Sequence, residues 1–135
     1  MLLDSSYPPA TRLHRPAEFK AALRGRRVAR GSLLEVLTPR LPAAPHAGSA
    51  RLGMIIPKRQ AALAVTRNTI KRVVREAFRL RRRELPAHDL VIRLHSRVPR
   101  LSLTQLRRLI REEIDGLLAD TARRLPRSHP PTGDR

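Results

Sequence analysis

Arg67-Asn68-Thr69-Ile70-Lys71-Arg72-Val73-Val74-Arg75-Glu76-Ala77-Phe78-Arg79 is the stretch on which the reading of this chain turns. At about 100° per residue on an α-helix, Arg67, Asn68, Lys71, Arg72, Arg75, Arg79 and Arg82 fall within an arc of roughly 140°. Ile70, Val73, Val74 and Ala77 fall on the opposite side, with Phe78 at the border. Such a helix can bury one face and present a dense row of cations on the other. Arg67, Asn68, Lys71 and Arg72 are therefore expected to face solvent, and Ile70, Val73, Val74 and Ala77 to be buried. Like charges three and four residues apart repel, and a polyanion along that face would relieve the repulsion.

Around this helix, expected over 62–84 with Thr66 as a candidate cap, the chain divides into short elements. Pro16 can open a helix running to Leu23, with Phe19, Ala22 and Leu23 on one side and Gly25 as its stop. Residues 32–37 and 51–56 read as strands, and 39–50, with Pro39, Pro42, Pro45 and Gly48, as a long loop. These two strands are expected to form an antiparallel pair. Leu85-Pro86 ends the central helix, and 89–94 (Asp-Leu-Val-Ile-Arg-Leu) is a further strand. Ser102 with Gln105 forms a capping box for the last helix. There Leu106, Leu109, Ile110, Ile114, Leu117 and Leu118 recur at helical spacing, and Arg107, Arg111, Glu112 and Asp115 turn away. The fold class is α+β, a single-domain sandwich with a central sheet and helices on one face. One domain is expected over 10–124, with tails at 1–9 and 125–135.

Among 135 residues, 29 Lys or Arg stand against 11 Asp or Glu, a formal net charge of +18. In a chain that is 41% apolar and able to fold, that excess points first to nucleic acid. An acidic membrane surface or an acidic protein is the other class of partner. Only 2% of residues are aromatic, so the core must rest on Leu, Val, Ile and Ala. Without cysteine there is no disulfide framework or thiolate site. No charged start followed by an apolar run marks a signal peptide. No apolar run approaches the roughly 18 residues of a membrane span. A cytoplasmic protein is expected.

No self-contained active site is legible. Glu112, Glu113 and Asp115 read as solvated charges on the last helix. The histidines have no metal-ligand spacing, and no Gly-rich phosphate loop or serine nucleophile motif occurs. Lys58 and Arg59 follow a strand at a turn, where both can reach phosphate. Arg24, Arg26, Arg27 and Arg30 fall in an expected loop, either a backbone clamp or a solubilising segment.

On these residues the chain resembles the bacterial ribonuclease P protein family. Arg67-Asn68-x-Ile70-Lys71-Arg72-x-x-Arg75-Glu76-x-Phe78-Arg79 looks like the family signature. Arg12-Leu13 followed by Phe19, Gly25, Arg51-x-Gly53 leading to Pro57-Lys58-Arg59, and Leu85-Pro86-x-x-Asp89-Leu90-Val91 match in order. Thr69 stands where the family usually has a second Arg, Arg59 replaces a usual Lys, and Leu23 and Val36 replace aromatics. The resemblance implies an α-β-β-β-α-β-α, ribosomal-protein-like fold. It implies a non-catalytic subunit, with Mg²⁺-dependent hydrolysis of precursor tRNA carried by the RNA subunit and no metal site built by the protein. It implies RNA binding by Lys58, Arg59, Arg67, Asn68, Lys71, Arg72, Arg75 and Arg79, and contact with the single-stranded 5′ leader by Phe19, Leu23, Arg26, Arg27 and Val36. The partners implied are the ribonuclease P RNA and precursor tRNA, with no membrane and no obligate protein partner.

Two rival classes fit parts of this pattern. A structural RNA-binding protein of ribosomal type shares charge and size but does not need the signature. A helix-turn-helix DNA-binding regulator needs a short turn between helices, and here a strand follows the long helix.

Overall fold

A computed structural model of the chain describes residues 12–13, 15–40 and 50–125. The tails at 1–9 and 126–135, and Pro42, Pro45 and Gly48, lie outside the described residues. Pro16 opens α1, Pro16–Leu23, where its missing N–H costs nothing. Gly25 follows because a side chain there would run into the Thr38 carbonyl, so the glycine serves close approach of two segments. Three strands follow, β1 (Arg26–Arg30), β2 (Leu34–Thr38) and β3 (Arg51–Ile55). Then come α2 (Ala64–Arg81), a 3₁₀ turn at Arg82–Glu84, β4 (Asp89–Leu94) and α3 (Leu103–Arg124). The α+β class is that expected, and the element order is the one the family resemblance implies.

β1 occupies the segment read from sequence as an Arg-rich loop. Its pattern is hidden because only Val28 and Ala29 are buried, and they are consecutive. A register shift between Arg27 and Ala29 in the pairing with β2 lets two successive residues reach the core. The arginines at its ends leave this edge strand a poor template for further pairing.

The expected β2–β3 antiparallel pair does not form. The sheet order is β1-β2-β4-β3, with β4 antiparallel to β2 and parallel to β3. The reason lies in β4, where Leu90, Val91, Ile92 and Leu94 are all buried. A strand apolar on both faces belongs in the middle of a sheet covered on both sides. β3, with Arg51 and Gly53, is suited to the edge, where Leu13 N–H donates to Leu52 O at 3.0 Å.

The helices do not share one face, which corrects the expected sandwich. α2 and α3 cover Leu34, Val36, Leu52, Leu90 and Ile92, joined by Ile70, Val74, Phe78, Ile110, Ile114 and Leu118. α1 lies on the other face, where Ala22 and Phe19 meet Leu37, Val91 and Ile55. Alternation along β2 and β4 makes this possible, since Val36 and Leu37 point to opposite faces. Leu125, assigned from sequence to the tail, is buried in the larger core. The Ser102–Gln105 capping box forms as expected. α2 has no side-chain cap from Thr66, which lies inside the helix. Its preceding turn is held instead by the Arg67 guanidinium, which donates to Ala61 O and Ala62 O at 2.9 and 2.8 Å.

Candidate nucleic-acid interface

On α2 the fully buried residues are Ile70, Val74, Ala77 and Phe78, with Val73 half-buried against the core. Phe78, placed at the border by the wheel, is 1% exposed. The buried arc is thus rotated toward the Arg67 side by this ring. Asn68 and Arg72 point fully outward, while Arg67, Lys71 and Arg75 sit at the shoulder, half-buried. Arg79 is drawn to Glu76, donating from its guanidinium to Oε2 at 2.7 Å. Lys58 and Arg59, in the turn after β3, are exposed. Arg72, Asn68, Lys58 and Arg59 are therefore the freest members of the expected RNA-binding set. Arg67 also has a structural duty at the start of its helix.

A concavity opens on the α1 face, a cleft of about 370 Å³ lined by Leu23, Ile55–Pro57, Arg59, Gln60 and Arg93–His95. Leu23, at 40% exposed, forms part of its wall. Arg26 and Arg27 are exposed at the start of β1. Phe19 is half-buried, its ring lying against Gly53, where a side chain would come within 2.6 Å of Cε1. Val36 is not available to a ligand. It is 0% exposed, on the α2–α3 side of the sheet. Leader contact by Val36 is therefore corrected: its alternation parity points it into the core.

Glu35 lies in the open half of the α1 face. It is buried, yet accepts from Arg93 Nε at 2.9 Å and stands 3.8 Å from the Arg27 guanidinium. Arg93, Gln60 and His95 were missed in the sequence as cleft residues. For Arg93 the signal was present, since it shares strand parity with Asp89 and Val91. At the other end of the cleft face, Arg51 bonds both Asp89 oxygens at 2.9 Å and reaches Glu18 of α1 at 3.0 Å. The hydrogen bonds that Arg51 donates to the Asp89 carboxylate raise the Arg51 pKa above its ordinary value, so this cation stays charged at any physiological pH.

Most of the described carboxylates are bound up in the same way. Glu18, Glu35, Glu76, Glu84, Asp89, Asp115 and Asp120 each pair with an arginine. Glu113 is no solvated charge, since its Oε2 accepts from the Leu33 and Leu34 amides at 2.8 and 2.6 Å. Mg²⁺ prefers carboxylate and water oxygens in octahedral array. The described residues include no group of three His, Asp or Glu able to hold a metal. Among the described residues, the side chains do not fit a Mg²⁺ site of their own.

The profile of the family described as Ribonuclease P matches residues 7–119. The chain belongs to the ribonuclease P protein family. It is 57% identical over 119 residues to the ribonuclease P protein component of Bordetella avium, covering 88% of this chain and 98% of that one. It is 37% identical over 139 residues to that of Paraburkholderia xenovorans, covering 99% and 96%. The fold is that of the RNase P protein from Staphylococcus aureus, with TM-score 0.66 at 23% identity over 93% of this chain and 99% of that one. The Thermotoga maritima protein superposes with TM-score 0.56 at 22% identity, over 78% and 96%. No described helix is long and apolar enough to cross a membrane.

Proposed function

We propose that this chain is the protein subunit of a cytoplasmic ribonuclease P, promoting endonucleolytic 5′ maturation of precursor tRNA while the RNA subunit carries the Mg²⁺-dependent chemistry. The RNA-binding unit extends over residues 10–124, and no protein partner is required. α2 and the Lys58–Arg59 turn bind the RNA subunit. The cleft beside α1, with Phe19, Leu23, Arg26 and Arg27, holds the single-stranded 5′ leader.

The observation that carries this reading is the outward face of α2. In a chain of this family, Asn68 and Arg72 stand exposed with Lys71 and Arg75 beside them, over a helix anchored by Phe78. A guanidinium fork suits phosphate geometry. The leader cleft supplies Arg93, Arg59 and apolar walls rather than aromatic platforms, so cations carry more of the binding than stacking does.

Reconstitution with ribonuclease P RNA at low Mg²⁺ tests the proposal. Protein-dependent cleavage at the 5′ boundary of precursor tRNA is expected. A ribosomal-type RNA-binding protein would bind RNA without restoring cleavage. Neutralising five or six phosphates gives a log–log salt slope of roughly −4 to −5. Lys71→Ala should lower affinity and reduce the slope by about 1 with little change in melting temperature. A flat salt titration would refute the electrostatic reading.

A further inference from the structure

The seam between α2 and α3 carries a second row of cations. A groove of about 450 Å³ runs along it, lined by Thr69, Arg72 and Glu76 from α2 and by Arg107, Arg108 and Arg111 from α3. Thr69, Arg72 and Glu76 on α2, and Thr104, Arg107 and Arg111 on α3 with Arg108 beside them, recur at three- and four-residue intervals, so each forms one stripe on its helix. The helices run in the same direction, since farther along both of them Arg81 Nε reaches Asp115 Oδ1 at 3.7 Å. The carboxylates bordering the groove are already paired with arginines, Asp115 with the groove's own Arg111. Glu76 holds Arg79 at 2.7 Å, and Asp115 accepts from Arg111 at 3.0 Å. Arg72, Arg107 and Arg108 are exposed, and among the described residues none of them has an ion pair or hydrogen-bond partner.

At its N-terminal end the seam meets a wider concavity of about 720 Å³ bearing Arg59, Arg97 and Arg100. Both helices begin beside it, and neither has an acid in its first turn. Two positive helix ends and these arginines add to one potential. Side chains that repel one another across an open groove gain from an anion laid between them. A protein partner would be anchored by buried aromatic or apolar side chains, and this groove offers guanidinium forks and threonine hydroxyls over half-buried Val73.

We infer that the α2–α3 groove is a second phosphate-backbone site, taking a strand of the ribonuclease P RNA through Arg72, Arg107 and Arg108. This inference rests on the reading that the chain binds that RNA. It extends the contact from one helix to two, on the sheet face opposite α1. The RNA subunit and the leader then meet at Arg59, which lines both the leader cleft and the concavity at the head of the seam.

The test uses the full chain carrying the double substitution Arg107→Ala and Arg108→Ala, titrated against a transcript of the ribonuclease P RNA over a salt series. Both residues are exposed, and a melting curve within about 2 °C of wild type checks folding. Affinity should fall at least about tenfold at 0.1 M salt, and the slope should shrink by nearly 2. The lysine double variant should keep the slope. Arg123→Ala, on the same helix outside the groove, should keep both slope and affinity. In the holoenzyme, the preference for precursor over mature tRNA should not change. Unchanged slope and affinity in the alanine pair, with wild type still strongly salt-dependent, would overturn the groove and leave the family reading intact. Equal losses in Arg123→Ala would reduce the effect to net charge and also overturn it. A wild-type protein with no salt dependence would bring down both readings.

Discussion

On one side of the sheet, α2 and α3 leave Leu34, Val36, Leu90 and Ile92 with no exposed surface. On the other, α1 is eight residues long. It covers Leu37 and Val91 and leaves Leu23, Arg93 and half of Ile55 at an open cleft. The first face holds the large apolar side chains and so most of the hydrophobic stabilisation. The second is held by a small cluster and by the Arg51 bridge from Asp89 to Glu18. A sheet secured on one side can leave the other partly open. Exposed strand surface becomes a binding floor without the fold depending on it.

The sharpest test of that division removes Phe78. Phe78→Ala should destabilise the whole fold by about 3–5 kcal/mol in denaturant unfolding. A loss below about 1.5 kcal/mol would mean the α2–α3 face does not dominate. Gly53→Ala acts on the other face, where the new methyl group meets the Phe19 ring and Leu13. Its cost is expected at about 1–3 kcal/mol, with hydrogen exchange rising in α1 before it rises in α2. Uniform acceleration across all helices would show the two faces to be one cooperative unit. The smallest change in stability is expected for Leu23→Ser, within about 0.5 kcal/mol because the side chain is already 40% exposed. The same variant should lower the preference for precursor over mature tRNA about fivefold, as burial of the remaining apolar surface is lost. An unchanged preference would remove Leu23 from the leader site.

α2, α3 and β4 were legible because each repeats its pattern over several turns or pleats. Ile70, Val74 and Ala77 follow one helical stripe, and Ser102 with Gln105 marks a start by hydrogen bonds local to the chain. β1 was not legible, because a bulge replaces alternation with one adjacent apolar pair. Of the site, the exposure of Asn68 and Arg72 followed from the wheel. The role of Arg67 in holding the turn before α2 and the engagement of Arg79 by Glu76 did not, since several acceptors lay within reach of each guanidinium. Val36 was misplaced because a one-residue difference in parity decides which face a strand residue meets.

By itself the sequence determined the class of fold, the cationic face of α2, the dependence on Leu, Val, Ile and Ala for a core, and the absence of a legible active site. All of these depend on composition or on periodicity within one element. Only the tertiary structure decided that β3 lies beside β4, that α1 lies opposite α2 and α3, and that Arg72 meets Arg107 and Arg108 across a groove. These arrangements join residues distant in the chain. They are set by which surfaces can be buried together, a competition among all the elements at once that no local pattern records.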